Sequence, residues 1–265
     1  MSGHSKWATT KHRKAAQDAK RSALFGKLSR NITVAAKEGG DPNPENNAAL
    51  AAAVEKAKAN SLPKDKIKTA IDKAFGSGKE ATSYETKIYE GYGPCGIAIY
   101  CEALTDNVNR TAADVRSAFA HAGGNLGTSG SVAFQFERKG QIFIEKIIKS
   151  EEKKVADKEN AVDEEEFMLM VADAGGEDYE DADDEWIVYT APGDLMAVKA
   201  ALEDAGIETK GAEFVMLPTT PTAVSVSDAK KVMRLVDRLE ELEDLQAVYH
   251  TMDITDEIAA ALEEE

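Results

Sequence analysis

The first thirty residues contain eight lysines and arginines, two histidines and a single acid, Asp18. The whole chain of 265 residues has a formal net charge of −16, so this basic arm is an island of positive charge. Cations at that density repel one another unless a polyanion neutralises them, and the ring of Trp7 offers a surface on which a base can stack. The arm therefore predicts contact with nucleic acid. The expected contacts are Lys6, Trp7, Lys11, His12, Arg13, Lys14, Lys20, Arg21, Lys27 and Arg30.

Two further segments have side chains suited to phosphate. In Thr105–Thr111 two asparagines and an arginine precede a predicted helix, whose N-terminal amides and dipole favour anions. Capping by Asn109 and Thr111 would explain part of this pattern, but a cap does not need the arginine. The loop Gly127–Ser131 carries hydroxyls and could cradle a phosphate through its backbone N–H groups. We expect a second contact surface from these segments, comprising Asn107, Asn109, Arg110, Thr128 and Ser129.

No residue pattern points to catalysis. Cys95 and Cys101 have no histidine nearby, the four histidines are scattered or lie in the arm, and the 127–131 loop lacks the lysine and helix of a P-loop. We therefore expect a protein that is not an enzyme and that binds no metal and no cofactor. The low cysteine content, the lack of a secretory h-region and the lack of an apolar run of about eighteen residues predict a cytoplasmic protein without a membrane contact.

Hydrophobic periodicity predicts the elements that position these residues. Apolar side chains at spacings of three and four predict a helix over residues 15–38, a second helix that Asn43 caps with Pro44 at its first position, and a third that ends near Phe75. A predicted hairpin joins Tyr84–Gly91 to Gly96–Ala103. The remaining residues predict alternating helices and strands. They include a helix that begins with a capping box at Thr111, a second strand pair around Lys139-Gly140, and a helix capped by Ser227. The acidic C-terminal tail is expected to fray.

Three of the predicted helices end in Ala-Gly and are followed by a strand, which indicates duplicated units. The predicted fold class is α+β, with an N-terminal three-helix domain followed by two ferredoxin-like α/β sandwich domains, one inserted in the other. The predicted boundaries are 1–78 for the arm and helical bundle, 79–130 plus 223–256 for the outer α/β domain, 131–222 for the inserted domain, and 257–265 for the tail. The inserted domain is acidic, because residues 151–185 hold sixteen acids and three lysines. A solvated face explains that segment, and a surface for a cation or a basic partner is the alternative.

The sequence resembles the YebC/PmpR family through motifs spread over almost the whole chain. They are Ser2–Lys14, Glu90–Pro94, Thr105–Thr111, Gly124–Phe134, Leu239–Leu242 and Val248–His250. The resemblance implies a helical N-terminal domain followed by two α/β domains, and it implies a bacterial transcriptional regulator. Mitochondrial relatives are translational activators of a cytochrome oxidase subunit, and bacterial members have been linked to translation on the ribosome. Cys95 stands where the family usually has glycine, which makes the hairpin turn less permissive.

These observations lead to three hypotheses about function. The first is a DNA-binding transcriptional regulator. The second is an RNA- or ribosome-binding translation factor or translational activator. The third is an adaptor whose acidic surface binds proteins and whose basic arm is incidental. The sequence has neither an evident helix-turn-helix nor an aromatic motif of the RRM type, so it leaves DNA and RNA open. A monomer is favoured over an oligomer.

Overall fold

The computed structural model describes residues 18–76, 84–148, 158–160, 162–182 and 184–263, with side chains from residue 22 onward. The described fold is α+β, as the sequence predicted. Its helices are α1 (Asp18–Gly39), α2 (Ala48–Ala59), α3 (Lys64–Phe75), α4 (Val108–His121), α5 (Glu164–Ala174), α6 (Leu195–Asp204), α7 (Val226–Glu240) and α8 (Asp256–Glu263). Its strands are β1 (Glu85–Tyr92), β2 (Ala98–Thr105), β3 (Asn125–Leu126), β4 (Phe136–Glu145), β5 (Ile147–Ile148), β6 (Lys158–Glu159), β7 (Asp178–Ala182), β8 (Glu185–Thr190), β9 (Gly211–Pro218) and β10 (Leu245–His250).

The described residues divide into two compact units. The first comprises residues 28–75 and 138–215, and the second comprises residues 18–27, 76–137 and 216–263. The first unit therefore holds most of the helical segment together with most of the predicted insertion. The division into three domains at the boundaries given above stays a prediction.

The helical segment of the first unit forms as predicted, with one difference in how α2 begins. Leu28 and Ile32 of α1 are buried four residues apart, and so are Leu50 and Val54 of α2, as the sequence pattern predicted. Asn43 and Pro44 open a separate 3₁₀ turn, so the expectation that they start the second helix is wrong. The cap of α2 is Asn47, whose Oδ1 accepts a hydrogen bond from the N–H of Leu50 at 3.0 Å.

The sheet of the first unit has the strand order β7-β8-β4-β9, and its elements follow one another as β4-α5-β7-β8-α6-β9. This is the βαββαβ succession of a ferredoxin-like sandwich. Its core includes Phe167 of α5, whose ring stacks on Trp186 of β8 with centroids 3.8 Å apart. The predicted turn at Lys139-Gly140 is wrong, because Gly140 lies within β4 and pairs with Thr190. A Cβ there would lie 2.7 Å from Leu195 Cδ1, so the glycine lets α6 approach the strand.

Helix α2 packs on this sandwich through charged and small residues. Glu55 is buried, and its carboxylate lies 3.5 Å from the ammonium of Lys199 on α6, which is also 2.7 Å from Glu203. Beside this ion pair the backbone of α2 approaches Gly211 at the start of β9 so closely that a Cβ would lie 2.6 Å from the Glu55 carbonyl oxygen. The contact therefore depends on a paired buried charge and on the absence of a side chain at position 211.

The second unit is built on an antiparallel sheet of order β10-β2-β1-β3. Alternate residues of β2, including Ile99 and Cys101, pack against α4 and α7 in one core. Helix α8 joins that core through Ile258 and Leu262, so the prediction that the acidic tail frays is wrong up to residue 263. On the other sheet face Tyr100 packs between Phe136 and Tyr249, with ring centroids 5.8 and 6.3 Å away.

Two turn and cap details of this unit follow from local chemistry. Cys95, in the turn between β1 and β2, has a φ of +59°, in the left-handed region that favours glycine. This agrees with the expectation that a cysteine there makes the turn less permissive. The N-cap of α7 is Ser225, whose hydroxyl accepts from the N–H of Asp228 at 3.2 Å, and not the expected Ser227.

The close approach at Gly211 yields a stability prediction. We expect Gly211→Ala to lower the free energy of unfolding by about 1–3 kcal/mol, because the new methyl group meets backbone atoms of Glu55 and Ala59 that cannot move independently. The matched control is Gly193→Ala in the same unit, where a Cβ meets no atom within 4 Å. Chemical denaturation followed by circular dichroism measures both. Equal midpoints for the two variants would show that α2 does not pack on β9 in solution.

Candidate nucleic-acid interface

Most of the predicted contacts in the basic arm lie outside the described residues. This is the case for Lys6, Trp7, Lys11, His12, Arg13 and Lys14. Lys20 and Arg21 belong to the first turn of α1, where the structure describes the backbone and not the side chains. The role of these eight residues in binding nucleic acid stays a prediction.

Lys27 marks where α1 meets α7. Its ammonium donates a hydrogen bond of 2.6 Å to the carbonyl oxygen of Glu240, the last residue of α7. A cation at this position binds a carbonyl of the last helical turn and interacts favourably with the negative end of the helix dipole. Arg30, one turn further along α1, is half-buried. The end of the basic segment is therefore fixed beside the C-terminal turn of α7.

Helix α7 carries exposed cations that the sequence analysis did not include among the contacts. Lys231, Arg234 and Arg238 are exposed and share one side of the helix, because three- and four-residue steps return to the same side. Lys231 pairs with Asp228 at 2.8 Å. Within the described part of the chain, neither Arg234 nor Arg238 makes an ion pair. The periodicity of this helix predicts its apolar face, and the three- and four-residue spacing of the cations likewise predicts that they share one side.

Arg110 is held by two carboxylates of the protein. Its guanidinium lies 2.8 Å from Asp106 and 2.8 Å from Asp244, which is almost fully buried. The same oxygen of Asp244 accepts hydrogen bonds from the hydroxyls of Thr111 and Thr105 at 2.7 and 3.2 Å. Burial acts to raise the pKa of Asp244, but Arg110 and the two hydroxyls outweigh it and hold that pKa below its ordinary value. Arg110 thus ties α4 to the segment before β10, and its contact with nucleic acid stays a prediction.

The two asparagines beside Arg110 have different environments. The Oδ1 of Asn107 accepts from the N–H of Arg110 at 3.1 Å and forms the N-cap of α4. The expectation that Asn109 and Thr111 cap this helix is therefore wrong, because Asn107 fills that position and Thr111 bonds Asp244. Asn109 is exposed in the first turn, where its amide is accessible to solvent.

The loop that follows β3 is organised by Glu90 of β1. This carboxylate is only 4% exposed and accepts hydrogen bonds from the N–H groups of Gly130, Val132 and Ala133 at 2.6, 2.8 and 2.7 Å. Burial acts to raise the pKa of Glu90, and the three N–H donors outweigh it and lower that pKa. Within the predicted loop 127–131, the N–H groups of Gly127 and Gly130 bind Glu90 and the N–H of Ser131 binds the carbonyl of Thr128. The expectation that the loop cradles a phosphate through its backbone is wrong for these three N–H groups and stays a prediction for the other two. The hydroxyl-bearing residues Thr128 and Ser129 are exposed, and their contact with nucleic acid stays a prediction.

The structure does not bring Arg110 and this loop into one surface. Arg110 lies at the end of the hairpin where Glu85 pairs with Thr105, whereas Glu90 pairs with Tyr100. Five residues of strand separate the two ends, which corresponds to about 17 Å. The predicted second contact surface therefore consists of two separate places. Through Asp244, Arg110 is bound to the segment that follows α7, and Lys27 binds the carbonyl of Glu240 at the end of that same helix.

No group of three or more His, Cys, Asp or Glu among the described residues could hold a metal ion. No helix among them is long and apolar enough to cross a membrane.

Comparison with known families covers almost the whole chain. A family model described as "TACO1/YebC protein N-terminal domain" matches residues 5–77, and one described as "TACO1/YebC second and third domain" matches residues 84–252. A protein of Rubrobacter xylanophilus is 50% identical over 98% of both chains, and one of Bifidobacterium animalis subsp. lactis is 47% identical over the full length of both. Each is named "Probable transcriptional regulatory protein". The crystal structure of a conserved hypothetical protein from Aquifex aeolicus is similar with a TM-score of 0.73 and 39% identity, covering 89% of this chain and 91% of the other.

The environment of Asp244 predicts a pH-dependent contribution to stability. At pH 7 we expect Asp244→Asn to lower the free energy of unfolding by about 2–3 kcal/mol, because Arg110 loses its buried partner. The pKa of Asp244 is lowered on folding, so the ionised group stabilises the fold above its ordinary pKa of about 4, and this contribution is lost as the pH falls through the folded-state value. The difference in the free energy of unfolding between wild type and variant should therefore become smaller as the pH falls from 5 to 2, as measured by urea titrations. Asp114→Asn, an exposed change on α4, is the control, and an equal effect of both variants would contradict the role of Asp244.

Proposed function

The chain belongs to the TACO1/YebC family, and from this premise we propose that it is a regulatory protein that acts by binding nucleic acid. The observation that carries the proposal is the partition of charge. Residues 1–30 hold eight of the chain's lysines and arginines with one acid, on a protein whose formal net charge is −16. A segment so unlike the remainder in charge is suited to neutralise the phosphates of a polyanion.

The positive surface that we propose extends from the arm onto α7. Lys27 contacts the carbonyl of Glu240, and Arg238 lies two residues before Glu240 in the same helix. The two cations are therefore placed within about one turn of α7. Arg234 lies one further turn back on the same side. The basic start of α1 and the α7 arginines would then follow a phosphate backbone together.

DNA is the first candidate for the target, because the relatives named above are described as transcriptional regulators. RNA or the ribosome is the second candidate, and two aromatic residues favour it. Trp7 lies among the arm cations, and Phe134 exposes its ring on the second unit. Aromatic rings stack on unpaired bases, which RNA offers more often than duplex DNA does. The protein-binding adaptor remains the third candidate.

One experiment in cells separates the three candidates. The tagged full-length protein is crosslinked in living cells, and the recovered DNA and RNA are quantified beside a Lys11→Gln/Arg13→Gln/Lys14→Gln variant. A transcriptional regulator enriches DNA over the variant, and a translation factor enriches RNA. Recovery of neither above the variant's level would overturn nucleic-acid binding and leave the adaptor.

The arm predicts a strong dependence of affinity on salt. Each phosphate contact contributes a slope of about −0.7 to −0.9 to the logarithm of the binding constant against the logarithm of salt concentration. We expect the Lys11→Gln/Arg13→Gln/Lys14→Gln variant to flatten this slope by about two to three, measured by fluorescence anisotropy. The control is Lys64→Gln/Lys68→Gln, which removes two exposed charges one turn apart on α3. An unchanged slope for the arm variant would mean that the arm is incidental.

The α7 arginines predict an independent, smaller effect. Arg234→Gln/Arg238→Gln should flatten the same slope by about one to two, because two exposed guanidinium groups are removed. The Lys64→Gln/Lys68→Gln variant again shows the effect of net charge alone. If both double variants change the slope equally, α7 makes no direct phosphate contact.

A further inference from the structure

Phe134 is an exposed aromatic residue with no structural use for its ring. It is 73% exposed, more than any other large hydrophobic side chain in the described part of the chain. By contrast, the apolar residues two positions before and after it, Val132 and Phe136, are buried in a small cluster with Ala98. An exposed ring contributes little to folding, because its apolar surface stays in water.

The backbone on both sides of Phe134 is anchored. The N–H of Ala133 donates to Glu90 at 2.7 Å, and the N–H of Gln135 donates to the carbonyl of Val132 at 2.9 Å within a 3₁₀ turn. The carbonyl of Gln135 accepts from both the N–H and the hydroxyl of Thr219, at 2.9 and 3.1 Å. The ring therefore projects from a turn that the rest of the unit holds in place, which lowers the entropy lost on binding.

The surroundings of this turn are aromatic and polar. Tyr92 is 38% exposed, and its hydroxyl donates to the carbonyl of Ser131 at 3.1 Å and accepts from the Gln135 side chain at 3.1 Å. Thr128 and Ser129, earlier in the same loop, are exposed as well. We call this set the Phe134 platform. It consists of Tyr92, Thr128, Ser129, Phe134 and Gln135.

We propose that the Phe134 platform stacks an unpaired base of single-stranded RNA. The inference rests on the proposed nucleic-acid function and adds a contact in the second unit. The ring supplies the face on which a base stacks, and the hydroxyls of Thr128 and Ser129 supply donors for a phosphate or a 2′-hydroxyl. No cation belongs to the platform, so phosphate neutralisation falls to the arm and α7.

The same features favour a base over a protein side chain as the occupant. Protein-binding hot spots combine several apolar side chains in a pocket from which water is excluded. The exposed ring of Phe134 instead shares its segment with the polar side chains of Thr128, Ser129 and Gln135, which remain solvated beside a stacked base. The carboxylate of Glu90, which would repel a phosphate, is buried beneath the turn and bound by three N–H groups.

The test compares two labelled probes on the full-length protein at low salt. One is a twelve-nucleotide oligouridine RNA, and the other is an abasic oligomer with the same number of phosphates. Phe134→Ala should weaken binding of the RNA by about fivefold to 150-fold, since stacking on one base contributes about 1–3 kcal/mol, and should leave binding of the abasic oligomer unchanged. Phe134→Trp should retain RNA binding. Leu169→Ala, another strongly exposed apolar residue, is the control and should change neither.

The outcomes separate the platform from the proposed function. If wild-type protein binds neither probe, the platform is wrong, and the proposed nucleic-acid binding is then decided separately by a labelled DNA duplex under the same conditions. If wild type binds both probes and Phe134→Ala binds both equally well, nucleic-acid binding stands and the platform is wrong, which would leave the ring as a protein contact. Equal losses on both probes would also overturn stacking, because an effect without a base cannot come from one. Thermal unfolding of each variant verifies that all are folded.

Discussion

The second unit depends on the buried carboxylate of Asp244. Its strand β10 pairs with β2, although more than one hundred residues of chain separate them. Asp244 joins these distant parts, because its side chain binds Arg110, Thr111 and Thr105 while its carbonyl accepts from the N–H of Leu104 at 2.9 Å. A carboxylate can be buried only when such donors replace its hydration. The pairing of two strands that lie far apart in sequence thus rests on a charge that several donors bind.

Glu90 repeats this principle at the other end of the hairpin. In both places a buried carboxylate accepts hydrogen bonds from a neighbouring segment, and these bonds lower its pKa. Some of the acidic residues of this chain therefore stabilise the fold. Two groups that sequence inspection associates with phosphate bind the protein's own carboxylates, namely the guanidinium of Arg110 and the N–H of Gly130 in the 127–131 loop.

In the proposed function, different surfaces of the protein make different kinds of contact with the nucleic acid. The arm and the exposed arginines of α7 supply positive charge, while the Phe134 platform supplies an aromatic face and hydroxyls. Charge attracts any polyanion over a distance of several ångströms, whereas stacking needs contact with an unpaired base. A protein that combines both can bind phosphate strongly and still respond to whether a strand is paired. This division suits a regulator whose net charge is negative.

The sequence by itself determined the fold class, the helical segment, most helices and strands, and the basic arm, because periodicity and charge are local properties that neighbouring residues express without the rest of the chain. Only the tertiary structure decided how the polar residues of the candidate site are used. Asn107 caps α4 in place of Asn109, Arg110 binds Asp244, and Glu90 binds the loop amides, and each partnership joins residues brought together by sheet pairing. The exposure of Phe134 was equally hidden, since a phenylalanine in a strand-like run resembles a core residue until its neighbours are placed. Spacing along the chain predicts which side of an element a residue occupies, and the partner on that side is set by segments far away in sequence.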